Sequence, residues 1–305
     1  MTIRFITTSQ HAYTIREYLT EIGKELADEI VPVTYRQLFW NWRLAKSTSN
    51  GDCFIFADIE RLSQSARRRA SQIRDHLQCH GHLSLNDPAV SWDRFTLLTH
   101  FYNLGINRFQ IKRLNEDLSE LRYPVFLRCS DDHRGTLTDL IFDEKELRKQ
   151  ALRLRYSWRG RRVNVAIEHV DTRDQNGIYR KYSAMRIADT IIPRHVFFSD
   201  SWHVKCWKAL NPDLLDEEMH YLQSNPHQAE LRRIFDLANI RFGRIDYAVA
   251  DGCIQVWEIN TNPRLPVSWG DGGPVRKPVG DFFHPRFANA MAALNRSASN
   301  SVCLN

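Results

Sequence analysis

The first third of the chain alternates short apolar runs with segments of helical spacing. The apolar runs predict four strands, at residues 3–8, 30–34, 53–57 and 82–85. The run at 53–57 is continuously apolar, which is typical of a strand buried on both faces of a parallel sheet. Apolar residues three or four apart predict helices over 13–27 and 62–77. This alternation predicts a small open α/β sheet within residues 1–90.

The rest of the chain contains both strand-like and helix-like stretches. Strands are predicted at residues 123–129, 138–142, 162–168, 179–186 and 190–198. Helices are predicted from 93 to about 105, from 143 onward, and over 212–224, 226–239 and 281–294. The pattern as a whole predicts a mixed α/β (α+β) protein.

Two stretches near the C-terminus, 242–250 and 253–260, alternate apolar and polar residues. The dipeptide Asp251-Gly252 separates them, and this sequence predicts a tight hairpin turn. One face of the hairpin is predicted to be apolar and to carry Ile245, Tyr247, Val249, Val256 and Trp257.

The other face of this hairpin is predicted to carry an unusual set of polar groups. Side chains two residues apart in a strand share a face, so Arg244 lies with Asp246, and Glu258 lies with Asn260. Two carboxylates, an amide oxygen and a nearby cation suit a hard divalent metal that also holds phosphate. The alternative is a surface hairpin with a solvated polar face. The long loop at 261–273, rich in Pro, Gly and Asn, favours the functional interpretation.

Composition narrows the class of protein without identifying it. The 305 residues are 43% hydrophobic and 26% charged, as in an ordinary globular protein, and suffice for two or three domains. The net charge of +6 fits a nucleic-acid binder and equally an enzyme that holds nucleotide phosphates. A basic helix with Arg61, Arg67–Arg69 and Arg74 lacks an aromatic platform, which favours a solvated surface and makes nucleic acid an unlikely partner.

The cellular context is predicted from cysteines and apolar runs. Six cysteines occur without CxxC spacing, which indicates reduced thiols. The N-terminus lacks the pattern of a secretory leader, and no apolar stretch approaches the roughly 18–20 residues of a membrane span. We therefore expect a cytoplasmic protein with no membrane partner.

The motif Arg244-x-Asp246, a short turn, and Glu258-x-Asn260-x-x-Pro263 resembles the magnesium-binding hairpin of the ATP-grasp superfamily. This superfamily includes carboxylate–amine ligases such as D-alanine–D-alanine ligase and glutathione-synthetase-like enzymes. The resemblance implies ATP and Mg²⁺ (or Mn²⁺) as cofactors, with Asp246, Glu258 and Asn260 as metal ligands. It implies a catalytic role for Arg244 at the transferred phosphate.

The resemblance extends to the phosphate-binding region. Arg94 follows Asp93 at the start of a helix, and Arg128 ends a strand. Both arginines stand at positions where the family usually has lysine. Arginine keeps the positive charge and binds phosphate bidentately. The loop Ser130–Gly135 corresponds to the family's glycine-rich loop, and within it His133 and Arg134 would supply side-chain donors. An ordinary hairpin with a polar tip is the alternative for this loop.

Two further positions follow from the same resemblance. Glu168 ends a strand and is expected at the nucleoside, where the family has its hinge. Lys181 adds positive charge close to the nucleotide, and Arg180 and Arg186 lie on the same strand. The segment Ser201–Trp207 is aromatic and basic but matches no motif; packing of its tryptophans is favoured over a substrate or phosphate contact by Lys205.

The resemblance implies an N-terminal α/β domain (1–90) and an ATP-grasp region (91–305) that places ATP between two sheets. Within that region a nucleotide-binding subdomain would span about 123–200 and a metal-binding subdomain about 201–295. The family chemistry activates a carboxylate as an acyl-phosphate for attack by an amine, so small-molecule or peptide carboxylates and amines are the expected substrates. The alternatives are an ATP-grasp kinase and a non-catalytic nucleotide- or nucleic-acid-binding protein. The oligomeric state is left open.

Overall fold

The computed structural model describes residues 2–41, 51–130, 135–156, 164–205, 213–265 and 273–302, with side chains to 294. The strands are β1 Ile3–Thr7, β2 Ile30–Thr34, β3 Cys53–Phe56, β4 Leu83–Leu85, β5 Ile111–Arg113, β6 Val125–Arg128, β7 Val165–Glu168, β8 Tyr179–Ile187, β9 Thr190–Ser199, β10 Phe242–Ala250 and β11 Cys253–Asn260. The helices are α1 Tyr13–Glu21, α2 Tyr35–Trp40, α3 Gln64–Cys79, α4 Arg94–Asn103, α5 Glu144–Arg155, α6 Asp213–Ser224, α7 Gln228–Leu237 and α8 Lys277–Val302.

The first four strands form a parallel sheet in the order β2-β1-β3-β4. All four residues of β3 are buried, as the continuous apolar run predicts. Helix α3 presents Ile73 and Leu77 to this sheet, while Arg68 and Arg69 on the same helix are exposed. The predicted open α/β sheet in the first third of the chain is therefore confirmed.

Two antiparallel sheets follow. The larger has the order β11-β10-β8-β9, and the smaller has the order β5-β7-β6. The larger sheet packs one face against α6 and α7 through a core that includes Tyr247, Leu231 and Phe235, all buried. The combination of one parallel and two antiparallel sheets confirms the predicted mixed α/β class.

The predicted strand at 138–142 is wrong. Only an isolated bridge between Val125 and Ile141 forms there. The regular ladder fails because the Thr138 hydroxyl accepts the Leu127 N–H at 3.0 Å, while the Leu127 carbonyl accepts from the amide of Leu137 at 2.8 Å. The Leu127 N–H thus donates to a threonine hydroxyl in place of a backbone carbonyl on the neighbouring segment. Short polar side chains commonly compete with regular backbone pairing in this way.

One hydrophobic core joins the parallel sheet to the larger antiparallel sheet. It contains Ile3, Phe5 and Ile55 from the first sheet, Met185 and Ile187 from β8, and Phe283 and Phe287 from α8. Phe5 and Phe242 meet edge to face, with ring centroids 5.4 Å apart. No helix within the described residues is long and apolar enough to cross a bilayer.

Asn86 forms the polar part of this junction. Its Nδ2 donates to the carbonyls of Phe56 and Phe242 at 2.9 Å each. Its Oδ1 accepts from the amides of Arg241 at 2.7 Å and Phe242 at 2.9 Å. The residue is 5% exposed and has a φ of 64°, a conformation that asparagine tolerates better than most residues. One side chain therefore connects the end of β3 to the start of β10.

We expect Asn86→Ala to reduce the free energy of unfolding by about 2–4 kcal/mol, because buried backbone groups on two strands lose their partners. Urea unfolding followed by circular dichroism measures this change. The exposed Asn115→Ala is the matched control and should change stability by less than about 0.5 kcal/mol. A loss below about 1 kcal/mol for Asn86→Ala would contradict the role given to this side chain.

Candidate active site

The hairpin of β10 and β11 forms as predicted and brings its polar residues together. Asp246 lies opposite Glu258, and Arg244 lies opposite Asn260, in an antiparallel register. Opposite residues in such a pair point to the same face of the sheet, so all four side chains share one surface. The turn residues Asp251 and Gly252 both have positive φ, 48° and 75°, as a tight two-residue hairpin requires.

A β-bulge at Trp257 changes the face assignment within the hairpin. Tyr247 pairs with Val256 directly after the Asp246–Glu258 pair, so Trp257 is an extra residue on β11. Val256 joins the buried core, as predicted, but Trp257 does not. Its ring lies 5.1 Å from that of Phe109, on the side of the open cavity. The prediction that Trp257 belongs to the apolar face is wrong, because strict alternation does not anticipate a bulge.

The carboxylate of Asp246 is buried and surrounded by donors. Arg244 donates to both of its oxygens, at 2.9 and 3.2 Å. The hydroxyl of Ser183 donates to Oδ1 at 3.0 Å, and Lys181 Nζ lies 3.9 Å from Oδ2. Lys181 and Ser183 both lie on β8, the strand that pairs with β10. The position of Asp246 is therefore fixed by its own strand and by the neighbouring strand.

Glu258 is paired with two arginines. Arg94, the first residue of α4, forms an ion pair with Glu258 Oε2, and Arg128 Nη2 lies 3.6 Å from the same oxygen. The Arg94 guanidinium also donates to the carbonyls of Cys129 at 3.1 Å and Ser130 at 3.2 Å. Arg94 therefore links β11 of the larger sheet to the segment that follows β6 of the smaller sheet.

The side-chain oxygens on this face are of the type that binds magnesium in proteins. The described residues contain no group of three His, Cys, Asp or Glu side chains that could hold a metal. Asp246, Glu258 and Asn260 supply two carboxylates and an amide oxygen, and Asn260 Oδ1 accepts one hydrogen bond, 2.8 Å from the amide of Asn262. Magnesium in proteins commonly has one or two carboxylate ligands and completes its shell with phosphate and water.

An open cavity of about 380 Å³ lies between the two antiparallel sheets, in front of this face. Of the ten residues that the sequence assigns a role at the metal or nucleotide, seven line it: Arg128, Gly135, Glu168, Lys181, Arg244, Asp246 and Glu258. Arg94, Ser130 and Asn260 are not among the lining residues. Part of the lining is apolar: Leu98, Phe109, Phe126, Ile167 and Trp257 belong to one hydrophobic cluster, and Trp202 packs on Phe126. The lining also includes the two carboxylates and several cationic side chains. A molecule with a flat apolar part and a polyanionic part matches this composition.

Residues 202–205 form a wall of the cavity that sequence patterns did not reveal. Trp202 packs on Phe126, with ring centroids 5.1 Å apart, and lies 5.6 Å from the ring of His169. His203 and Lys205 also line the cavity. The aromatic and basic composition of this segment was the available signal, and the expected packing of Trp202 is confirmed. Trp207 lies outside the described residues.

Gly135 occupies a position that only glycine suits. Its φ is 94°, and a Cβ built there would lie 3.1 Å from His203 Nε2 and 3.1 Å from Lys205 Cε. The absence of a side chain therefore allows the loop to approach residues 203–205 closely. His133 and Arg134 of the same loop lie outside the described residues.

Ser130 and Glu168 are engaged within the protein. The Ser130 amide donates to Asn164 Oδ1 at 2.9 Å, and Asn164 Nδ2 donates to the Ser130 hydroxyl at 2.8 Å. Glu168 is 2% exposed and accepts from the amides of Gln110 and Arg122, at 3.0 and 2.6 Å, and from the Arg122 guanidinium at 2.7 Å. Their contacts with a nucleotide stay predictions.

The arginines of α3 make intramolecular contacts. Arg67 donates to the carbonyls of Ile59 and Ser91, at 3.2 and 3.3 Å. Arg69 donates to the Phe39 carbonyl at 2.9 Å and lies over the Phe39 ring. These guanidinium groups are partly satisfied by their own chain, which weakens the case for a nucleic-acid surface on this helix.

Comparison with known proteins identifies the fold. No protein-family model matches the sequence, and no curated protein matches it. The structure is similar to D-alanine–D-alanine ligase from Bacillus anthracis complexed with ATP, with a TM-score of 0.55, 14% identity, and coverage of 98% of this chain and 99% of that chain. It is also similar to D-alanine–D-alanine ligase from Helicobacter pylori, with a TM-score of 0.50, 14% identity, and coverage of 97% and 98%. The chain therefore has the ATP-grasp fold, as the hairpin motif predicted.

His203 provides a pH-dependent test of the cavity wall. Burial, together with the charges of Lys205 and Arg128, lowers its pKa from 6.5 to about 4. Between these values the unfolded chain binds a proton that the folded protein excludes, so stability falls as the pH decreases from 7 to 5. His203→Gln removes this contribution and should lose less stability over that interval in thermal unfolding. Equal losses in the variant and the wild type would contradict the half-buried, neutral state of this histidine.

Proposed function

We propose that this protein is an ATP- and Mg²⁺-dependent ligase. It would activate a substrate carboxylate as an acyl-phosphate, which an amine or another nucleophile then attacks. The observation that carries this proposal is a single cavity whose lining combines the aromatic side chains of Phe109, Trp202 and Trp257 with the carboxylates of Asp246 and Glu258. The fold shared with D-alanine–D-alanine ligases supports the assignment. A cytoplasmic location is proposed with it, since the reaction consumes ATP and the cysteines are expected to be reduced.

The nucleotide would lie along the length of the cavity. Its base would contact the aromatic residues of the lining, where stacking on Trp202 or Trp257 stabilises a flat heterocycle. Glu168 would lie near the nucleoside. The phosphates would lie beside the cationic side chains of Arg128 and Lys181, which line the cavity. Gly135 also lines the cavity and has no side chain, so a phosphate could approach its backbone closely. Arg94 and Ser130 do not line the cavity; Arg94 would hold the segment after β6 in place by donating to the carbonyls of Cys129 and Ser130.

Asp246, Glu258 and Asn260 would hold the magnesium ion. When bound, the ion neutralises phosphate charge and orients the reacting phosphoryl group. Arg244 lies on the same face, held by Asp246, and its guanidinium would donate to the oxygens that gain charge as the acyl-phosphate forms. This reaction does not require a nucleophilic side chain from the protein, because the attacking group belongs to the second substrate.

The reaction class is tested by ADP release. We expect ADP only when a carboxylate substrate is present, and hydroxylamine should trap the acyl-phosphate as a hydroxamate. Arg244→Gln should lower kcat by about 100-fold or more, because a preorganised donor to the developing charge is lost. Exposed Arg286→Gln on α8 is the matched control. ADP formation with a hydroxyl compound alone, and a stable phosphoester as the product, would identify a kinase and contradict the ligase.

The order of metal and nucleotide binding is a second consequence. Arg94, Arg128, Lys181 and Arg244 surround two carboxylates, so these groups carry a net positive charge before ATP binds. Free Mn²⁺, used as a paramagnetic substitute for Mg²⁺, should therefore bind weakly without nucleotide. Arg94→Gln should tighten that nucleotide-free binding by roughly tenfold, since one charge repelling the ion is removed.

Electron paramagnetic resonance of Mn²⁺ measures this affinity directly and does not depend on turnover. Arg113→Gln, which changes an arginine outside the cavity, should bind Mn²⁺ as the wild type does. Tight Mn²⁺ binding to the nucleotide-free wild type would contradict this account of the arginine pairs.

A further inference from the structure

A second polar cavity, of about 330 Å³, lies at the junction between the parallel sheet and the larger antiparallel sheet. Three arginines line it, from three elements: Arg74 on α3, Arg186 on β8 and Arg241 before β10. Asp87 and Asp236 are the acidic residues among its lining, and two exposed aspartates outside the lining, Asp75 and Asp189, also pair with Arg74 and Arg241. Among the described residues, this cavity shares no lining residue with the cavity in front of Asp246.

Arg186 supplies a buried charge to this cavity. The residue is 3% exposed, and its Nε donates to the carbonyl of Ala188 at 2.7 Å. Its ion pair is with Asp236, at 2.5 Å, whose side chain is 58% exposed. A carboxylate that lies largely in water compensates a buried guanidinium poorly, because solvent screens the pair and the cost of desolvating the arginine is not fully offset.

Arg241 supplies a charge that is free to reorient. Its guanidinium lies 3.4 and 3.5 Å from the two oxygens of Asp189, and both side chains are substantially exposed. Exposed pairs with such long contacts contribute little to stability. The main chain of Arg241 is fixed independently, because its amide donates to Asn86. The side chain can therefore bind a ligand without disturbing the junction.

Arg74 completes the set from α3. Its Nη1 lies 2.9 Å from Asp87 Oδ2, and Asp87 in turn accepts from the Ser71 hydroxyl at 2.7 Å. Its Nε donates to Oδ1 of Asp75 at 3.1 Å, and the side chain of Asp75 is 57% exposed. Two acids thus hold the guanidinium beside the cavity, and one of them lies largely in water. The hydroxyl of Ser84, on β4, also lines the cavity and has no hydrogen-bond partner among the described residues.

We propose that this cavity binds a phosphoryl group, carried either by inorganic phosphate or by a small phosphate ester. Guanidinium groups from three elements can donate to the several oxygens of a tetrahedral oxyanion, which offers more acceptor oxygens than a planar carboxylate. The volume is at the lower end of the range for small-molecule sites, and such sites are common between domains. Arg241 precedes Arg244 by three residues on the chain, so a bound phosphoryl group would stabilise the start of the strand that carries Arg244 and Asp246.

Calorimetric titration with inorganic phosphate and with glycerol phosphate tests the site. Arg241→Gln should weaken binding of the phosphoryl group by about tenfold, the loss expected for one charge-assisted hydrogen bond. Arg232→Gln is the matched control, because this residue also contacts Asp189 but does not line the cavity, and it should bind as the wild type does. Tighter binding of the ester than of phosphate would identify a phosphorylated metabolite as the ligand; equal binding would identify free phosphate.

The cavity in front of Asp246 is a competing site for phosphate, and Arg128→Gln separates the two. This variant should retain the binding that Arg241→Gln weakens. The proposal is overturned if neither probe binds, if Arg241→Gln binds like the wild type, or if Arg128→Gln abolishes binding that Arg241→Gln leaves intact. None of these outcomes depends on ligase activity.

Discussion

The antiparallel pairing of Asp246 with Glu258 is the constraint on which the proposed active site depends. Two carboxylates are held on adjacent strands, and each is paired with an arginine before any ligand binds. Such an arrangement is tolerable because the arginines offset the repulsion between the acids and the cost of their burial. It also leaves the cavity with excess positive charge, which suits a polyphosphate better than a free cation. The same pairs explain why the metal and the nucleotide are expected to bind together.

This surface is also stabilised from outside the hairpin. Ser183 and Lys181 on β8 contact Asp246, while Arg94 connects Glu258 to the segment after β6. Asn86 fixes the start of β10 to the end of β3. The side chains that face the cavity therefore depend on all three sheets, and the position of the proposed metal ligands is a property of the whole fold.

Much of this arrangement was predictable from local patterns. The continuous apolar run of β3, the turn at Asp251-Gly252 and the alternating polar residues of β10 each reflect one physical rule, and each is confirmed. The Trp257 bulge, the broken pairing at Thr138 and the position of residues 202–205 were not predictable. These features arise where a side chain or an inserted residue competes with regular backbone pairing, and only the tertiary structure decides that competition. The roles of all the site residues at the metal and the nucleotide remain predictions, including those of Arg94, Ser130 and Glu168.

The most direct test of the central claim is calorimetric titration of ATP in the presence of Mg²⁺, comparing the wild type with Asp246→Asn and Glu258→Gln. These substitutions keep the size of each side chain and remove its charge. The account predicts that the wild type binds ATP–Mg²⁺ and that both variants lose the dependence of ATP affinity on Mg²⁺. No binding of ATP–Mg²⁺ to the wild type, or the same Mg²⁺ dependence in all three proteins, would contradict it.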